Sequence, residues 1–246
     1  MIVDVHAHLE LEDFDKDRAE VIQRAKNVDV KAIICNGMNP IYNRKILELA
    51  KKYDLIKPAL GYYPCECETV SKEDFKKELV FIKKSKPFAI GEIGLDKKYD
   101  KNFERQQECF RALIKIAQDL KVPIIVHSRQ AEEKTIEIME EMKVKKAIMH
   151  SFTGKKKLVE RCVKNGWSIS IPCTVIRSTQ FQENVKLVPL RQLLTETDSP
   201  LQTHDLSIQR NEPVYIQESL KKIAEIKGLE IEELKKIIFS NYQRLF

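Results

Sequence analysis

Short apolar runs rich in β-branched residues alternate along the whole chain with longer segments of helical period. Eight of these runs are candidate strands: Ile2–His6, Lys31–Cys35, Ile56–Gly61, Phe88–Gly94, Ile124–His127, Ala147–His150, Trp167–Ile171 and Leu193–Asp198. Because strands that alternate with helices usually pair in parallel, the pattern predicts an α/β protein with a parallel sheet.

The helical segments between these runs show an apolar stripe at the helical spacing. The stripe is clearest from Asn102 to Leu120. The other candidate helices are Asp15–Val28, Ile41–Tyr53, Ser71–Lys84, Glu132–Met142, Lys155–Asn165, Val214–Ile226 and Ile231–Phe239. Ser71 and Asp74 have the spacing of a helix cap, Pro213 suits a first helical turn, and Gly228 suits a helix end.

The number and spacing of the repeated units suggest a closed architecture. Each strand and helix together take about 30 residues, which suits a (β/α)₈ TIM barrel. The chain of 246 residues has the usual length for such a barrel, and no Pro/Gly/Ser-rich linker divides it. We therefore expect residues 1–246 to form one TIM-barrel domain. An open doubly wound sheet is the structural alternative.

Composition narrows the class of protein without identifying a function. With 43% hydrophobic and 33% charged residues, the chain has enough apolar material for a buried core and is neither disordered nor membrane-embedded. No apolar run approaches the roughly 20 residues that span a bilayer, and no signal-type segment opens the chain, so we expect a cytoplasmic location. Six cysteines without a CxxC pair are expected to be reduced thiols. The net charge of +6 favours an anionic partner only weakly.

Metal-ligand side chains are concentrated where the candidate strands end. His6 and His8 are two residues apart, so the alternation of a strand directs both imidazoles to the same side. Four of the five histidines lie at strand ends, the face that holds the active site in barrels of this kind. The complete set of candidate ligands is His6, His8, Glu92, His127, His150 and Asp198.

Six candidate ligands exceed what one tetrahedral ion needs, so the sequence favours two divalent ions. Ions about 3.5–4 Å apart would stabilise both the attacking and the leaving oxygen of a hydrolysis. Mixed imidazole and carboxylate ligands suit zinc, manganese or iron better than magnesium, and the sequence leaves the ion open. Taken singly, each histidine could instead be a hydrogen-bonded core residue, and Asp198 could cap a turn.

Several segments, in this order, resemble the TatD-like metal-dependent hydrolases, a deoxyribonuclease family of the amidohydrolase superfamily. They are Asp4–Leu9, Gly91–Asp96, His127–Arg129, His150–Gly154, Glu196–Pro200, Arg210–Pro213 and Asn241–Phe246. The resemblance spans essentially the entire chain. It implies a TIM-type barrel, dependence on divalent metal, and a deoxyribonuclease that releases nucleotides from DNA ends.

The same resemblance implies roles for the candidate ligands. One ion would be held by His6, His8, Glu92 and Asp198. The other would be held by Glu92, His127 and His150, so that Glu92 bridges the two. Glu92 and Asp198 would be the catalytic residues, with Asp198 orienting or deprotonating the attacking water.

One position departs from the family pattern. The family usually has Gly-x-His-Pro after the third strand, whereas this chain has Tyr63 in place of the histidine. A phenol can donate a hydrogen bond to a phosphate oxygen, but it is not a cation near neutral pH. Tyr63 and Arg129 are the candidate substrate-binding residues, and Arg177 and Arg210 are further candidates that could equally form loop salt bridges.

The leading hypothesis is thus a two-metal phosphodiesterase that acts on DNA, most simply as an exonuclease. A hydrolase of the same scaffold that acts on a lactone, an amide or a phosphotriester is the nearest alternative. A non-catalytic metal-binding or scaffold barrel is the alternative from another class. The sequence gives no sign of a membrane partner or of an obligate protein partner.

Overall fold

The computed structural model describes all 246 residues and confirms the predicted (β/α)₈ barrel. Eight strands pair in parallel in the order in which they occur along the chain. They are β1 Ile2–Ala7, β2 Val30–Asn36, β3 Ile56–Leu60, β4 Ala89–Asp96, β5 Ile124–Arg129, β6 Ala147–Met149, β7 Ser168–Ile171 and β8 Leu193–Thr195.

Helices surround this sheet and bury their apolar stripes against it. They are α1 Arg18–Asn27, α2 Pro40–Lys52, α3 Pro64–Thr69, α4 Lys72–Ser85, α5 Phe103–Leu120, α6 Glu132–Glu141, α7 Lys156–Lys164, α8 Thr179–Leu187, α9 Ile216–Lys227 and α10 Ile231–Leu245. None of the ten has the length and apolarity that a bilayer-spanning helix needs. The buried hydrophobic side chains form one continuous core.

The predicted helix signals are largely confirmed. The Ser71 hydroxyl accepts a hydrogen bond from the Asp74 N–H at 3.0 Å, and Gly228 ends α9 with a φ of 63°. Pro213 opens a short 3₁₀ turn that leads into α9, so the α-helix itself begins at Ile216. Helices α3 and α8 were not predicted, because each is short and buries too few apolar side chains to show a helical stripe.

Two candidate ligands that were predicted to end strands lie outside them. Strands β6 and β8 end at Met149 and Thr195, so His150 and Asp198 lie in the loops that follow. Asp198 itself, with a φ of 55°, and Ser151, with 42°, adopt the left-handed conformation, which an extended strand excludes. The fourth strand, by contrast, runs beyond its predicted end to Asp96.

Side chains link the first strand to the last. The carboxylate of Asp4 in β1 accepts hydrogen bonds from the hydroxyl and the N–H of Thr197, at 2.5 and 3.0 Å. The Thr195 hydroxyl donates to the carbonyl of Val3 at 3.0 Å. Burial raises the pKa of Asp4 to about 7, although the hydrogen bonds from Thr197 favour the charged form and lower it. We call this contact between β1 and the segment from Thr195 to Thr197, at and just after the end of β8, the seam.

Candidate metal centre

The two carboxylate oxygens of Glu92 face different pairs of histidines. Its Oε2 lies 3.5 Å from His6 Nε2 and 3.4 Å from His8 Nε2. Its Oε1 lies 2.8 Å from His127 Nδ1 and 3.9 Å from His150 Nε2. All five side chains are buried. One carboxylate therefore joins two groups of nitrogen donors, the geometry that a bridging ligand needs.

Asp198 completes the first of these groups. Its Oδ1 lies 3.5 Å from His6 Nε2 and 3.6 Å from His8 Nε2. Its N–H donates to the His6 carbonyl at 2.8 Å, so the backbone of the seam fixes the loop that carries the carboxylate. The seam thus aligns the two ligands of β1 with the ligand that follows β8.

The spacing of these donor atoms fits a metal ion. Bonds of roughly 2.0–2.1 Å in a tetrahedral site separate the ligand atoms by about 3.3–3.4 Å. The nitrogen-to-carboxylate distances of 3.4 to 3.6 Å in the group of His6, His8, Glu92 and Asp198 are close to that value. The donor atoms of His6, His8 and Asp198 lie within 4.8 Å of one another, as do those of Glu92, His127 and His150. Buried imidazole and carboxylate donors are the ligands of zinc, manganese and iron, so both groups fit a divalent ion.

Buried carboxylates support two of the histidines from behind. His8 Nδ1 lies 3.1 Å from Glu10 Oε1, and His150 Nδ1 lies 3.0 Å from Glu196 Oε2. Ser170 donates to the same Glu196 oxygen. Such partners fix which ring nitrogen carries the proton and leave the other free for a metal. Sequence reasoning gave neither glutamate this role, although each lies two residues from a candidate ligand.

Asp96 supports His127 in a similar way, and the same carboxylate accepts the hydrogen bond that the Tyr63 hydroxyl donates. Asp96 Oδ2 lies 3.1 Å from His127 Nε2 and accepts a hydrogen bond of 2.9 Å from the Tyr63 hydroxyl. Burial and the charges of Glu92 and Asp96 raise the pKa of Tyr63, which keeps its phenol protonated. Since a phenol has one proton to donate, a hydrogen bond to substrate would require Tyr63 to leave Asp96. Its substrate-binding role stays a prediction.

The ligand histidines divide into two electrostatic classes. Burial lowers the pKa of His8 and of His127, but hydrogen bonds to carboxylates outweigh it and hold the first well above its usual value and the second at about 9. Burial also lowers the pKa of His6 and of His150, and here the nearby carboxylates, Glu92 for both and Asp198 for His150, do not outweigh it. Burial alone would also raise the pKa of Glu92, but hydrogen bonds from His127 and His6 hold it well below its usual range. The central carboxylate is therefore negative and available to cations.

Gly94 lets β4 approach β5 closely at the level of the site. A β-carbon on Gly94 would lie 1.9 Å from the carbonyl oxygen of His127, and its φ of 145° is one that other residues rarely adopt. A side chain at this position would push His127 away from Glu92. The backbone of His127 fills the space that this glycine leaves.

Gln202 orients the carboxylate of Asp198. Its amide donates to Asp198 Oδ2 at 2.7 Å and lies 2.8 Å from the Ser151 hydroxyl. The second carboxylate oxygen is thereby fixed while Oδ1 faces the histidines. No sequence pattern indicated Gln202, because the contact depends on how the loop after β8 folds back.

A cavity with a volume of about 370 Å³ lies above the ligands and is open to solvent. Its lining includes His127, His150, Asp198 and the exposed side chain of Arg129, the predicted phosphate ligand. Arg210, in contrast, forms ion pairs of 2.6 and 2.8 Å with Asp17 and Glu212, which fulfils the alternative of a loop salt bridge. Arg177 donates to a loop carbonyl, that of Thr203.

Comparisons with known proteins agree with this geometry. The family model described as TatD related DNase matches residues 3–246. An uncharacterized metal-dependent hydrolase of Bacillus subtilis, YabD, is 37% identical over 100% of this chain and 99% of its own length. The 3'-5' ssDNA/RNA exonuclease TatD of Salmonella typhimurium is 30% identical over 99% of this chain and 98% of its own length. The crystal structure of YJJV, a TatD homologue from Escherichia coli K12, superposes with a TM-score of 0.92 at 27% identity over 100% of this chain and 97% of that chain.

Proposed function

Because the chain belongs to the TatD related DNase family, we propose that it is a divalent-metal-dependent hydrolase that cleaves the phosphodiester bonds of DNA from a free end. The similarity to a metal-dependent hydrolase and to an exonuclease of single strands supports this reaction class and mode of attack. The observation that carries the proposal is the position of Glu92, whose two oxygens face separate groups of nitrogen donors beneath an open cavity.

Bound divalent ions would supply positive charge that activates a water molecule and stabilises the attacking and leaving oxygens. The residues of the chain have complementary tasks in the proposed reaction. Asp198 takes the proton of the attacking water and passes it toward the leaving oxygen, while Gln202 holds its carboxylate in place. Glu10 and Glu196 hold the rings of His8 and His150 in the orientation that binds metal.

Arg129 is the proposed phosphate ligand. Its guanidinium group is exposed and lines the cavity that also contains His127 and Asp198. The planar fork of arginine matches the oxygens of a phosphodiester and can hold the group over the metal ligands.

The cytoplasmic location expected from the sequence stays a prediction.

A nuclease assay with defined ends tests the proposal. Purified protein loaded in parallel with zinc, manganese, iron or magnesium is given single-stranded DNA labelled at either the 5' or the 3' end. We expect at least one metal to support release of nucleotides, and the size ladder from the two labels shows which end is attacked. Chelation should abolish the release, and readdition of the same metal should restore it.

The same preparations are offered a lactone, an amide and a phosphotriester. Intact DNA under every metal, together with rapid turnover of one of these substrates, would overturn the assignment to DNA and favour the alternative of a small-molecule hydrolase. Fewer than one bound ion per chain and no turnover of any substrate would favour the scaffold barrel.

A further inference from the structure

Exposed apolar side chains concentrate at the mouth of the barrel. The structure has six exposed large hydrophobic side chains, and four of them lie in or just after the loops that follow β2, β4 and β8. These four are Ile41, Tyr99, Leu201 and Leu206. Exposed apolar groups around a polar cavity are typical of a surface that binds a ligand. Tyr99, with 54% of the residue exposed, is the only aromatic residue among them.

Tyr99 is held near the metal centre by its backbone. The Oδ1 atom of Asp96 accepts hydrogen bonds from the N–H groups of Lys98 and Tyr99, at 2.9 and 3.3 Å. The other oxygen of the same carboxylate contacts His127 at 3.1 Å. One side chain therefore ties the backbone of the Tyr99 loop directly to a candidate metal ligand.

The ring has cations beside it and no role in the core. The guanidinium carbon of Arg129 lies 5.9 Å from the ring centroid, and Lys98 Nζ lies 5.1 Å from it. Tyr99 belongs neither to the buried core nor to the side chains packed against it. Its exposed ring surface is thus available to a ligand, and the adjacent cations suit a ligand that is negatively charged.

A second cavity adjoins the cavity above the ligands and reaches residues that flank the Tyr99 loop. This second cavity, of about 540 Å³, shares Thr153 with the first, and its lining includes Lys97 and Phe103, which flank the Tyr99 loop. Its lining also includes Lys155 and Lys157 from the loop and helix after β6, together with Glu132, Glu133 and Glu137 of α6. Arg129, which lines the first cavity, lies against the Tyr99 ring, so the ring is placed beside the open cavity above the ligands.

We propose that Tyr99 is a stacking platform for a nucleobase of an unpaired DNA strand, with Arg129 and Lys98 binding the phosphates next to that base. The inference rests on the proposed function. An aromatic ring with adjoining cations is the combination that single-strand binding proteins use, because every base has a face that can stack. A base inside a duplex is already stacked on both faces, so the platform selects strands with unpaired ends.

The test combines a ring truncation with removal of single bases. Tyr99→Ala and Tyr99→Phe are compared with the parent protein on single-stranded oligonucleotides in which one nucleotide at a time is abasic. Val80→Ala serves as the control, because Val80 is a similarly exposed apolar residue on α4, away from the mouth. Stacking of one base typically changes affinity roughly 5- to 150-fold. We expect Tyr99→Ala to raise KM within that range and leave kcat within about twofold, and Tyr99→Phe to retain most of the parent KM.

The abasic series provides the decisive comparison. In the parent protein, one abasic position should raise KM about as much as Tyr99→Ala does, and in Tyr99→Ala that position should have no further effect. A parent-like KM for Tyr99→Ala, or an abasic effect that persists in this variant, would overturn the platform. Nuclease activity of the parent protein reports separately on the proposed function.

Binding without turnover completes the test. Fluorescence anisotropy measures the binding of a labelled single strand to metal-free protein. The affinities of the parent, Tyr99→Phe and Tyr99→Ala should follow the same order as their KM values, with Tyr99→Ala weakest. If the parent protein cleaves no DNA, this measurement alone decides, and equal affinities or no binding would overturn the proposal.

Discussion

The floor and the rim of the barrel mouth are built from different kinds of residue. The floor consists of the six candidate ligands and the carboxylates behind them, all buried and hydrogen-bonded. The rim consists of Arg129, Tyr99 and Leu201, which are exposed and lie at or beyond the strand ends. The buried floor is therefore suited to catalysis, and the exposed rim is suited to selecting the substrate.

The contrast follows from how each part is held. Floor residues belong to strands or are fixed to them by backbone hydrogen bonds, such as that between the Asp198 N–H and the His6 carbonyl. A displaced floor residue would leave a buried polar group without a partner, which costs about 1–3 kcal/mol. Rim side chains face water, so substitutions there cost the fold little. Mutations of floor residues should therefore change activity strongly, and mutations of rim residues should change it to a smaller, graded extent.

Loss of the central charge should give the largest effect. In Glu92→Gln the two groups of histidines lose their shared anion, so we expect kcat on DNA to fall on the order of 10³-fold or more. The melt should stay cooperative because the barrel core lies beneath the mouth. Steady-state kinetics, bound metal per chain and a thermal melt measure these quantities.

Glu160→Gln is the matched control, since Glu160 is an exposed glutamate on α7. A Glu92→Gln enzyme that keeps more than about a tenth of the parent kcat would contradict the central place of this carboxylate.

A change behind a ligand should have an intermediate effect. In Glu10→Gln the ring of His8 keeps a hydrogen-bond acceptor but loses the negative charge beside it. We expect the affinity for metal to fall about tenfold, the lower end of what such partners contribute. Competition with a chelator of known affinity measures the change directly. Glu12→Gln, two residues along and exposed, is the control. Equal affinities for metal in Glu10→Gln and Glu12→Gln would show that the charge of Glu10 does not contribute to metal binding.

A conservative change on the rim should have the smallest effect. Arg129→Lys keeps the positive charge but loses the planar fork, so we expect KM for single-stranded DNA to rise about fivefold with kcat within twofold. The control is Arg111→Lys, a partly exposed arginine on α5 that pairs with Glu141. If kcat fell with KM unchanged, Arg129 would act on the reaction itself, and the division between floor and rim would be wrong at this residue.

Periodicity predicted much of the fold because strand and helix spacings are local properties of the sequence. The alternation of His6 and His8 indicated a shared target, and the structure brings both to Glu92 and Asp198. The ends of β6 and β8 could not be read in this way, because left-handed residues such as Ser151 turn the chain while the sequence remains compatible with a strand.

The supporting residues were harder to predict than the ligands. Glu10 lies two residues after His8, a spacing that could have suggested a shared side, but a carboxylate near a histidine is common without any contact. Gln202 reaches Asp198 only because the loop after β8 folds back. The position of the Tyr99 backbone depends on a hydrogen bond from its N–H to Asp96, a contact that no periodic pattern encodes.

The seam also determines when a growing chain can become active. Asp4 and Thr197, which join the two edges of the barrel, are 193 residues apart in the chain. At about 5–20 residues per second, a ribosome needs roughly 10–40 s to add that length. During this interval His6 and His8 have been synthesised but have no Asp198 to face. In a nascent chain the group of His6, His8 and Asp198 is therefore incomplete until the segment after the last strand has been synthesised.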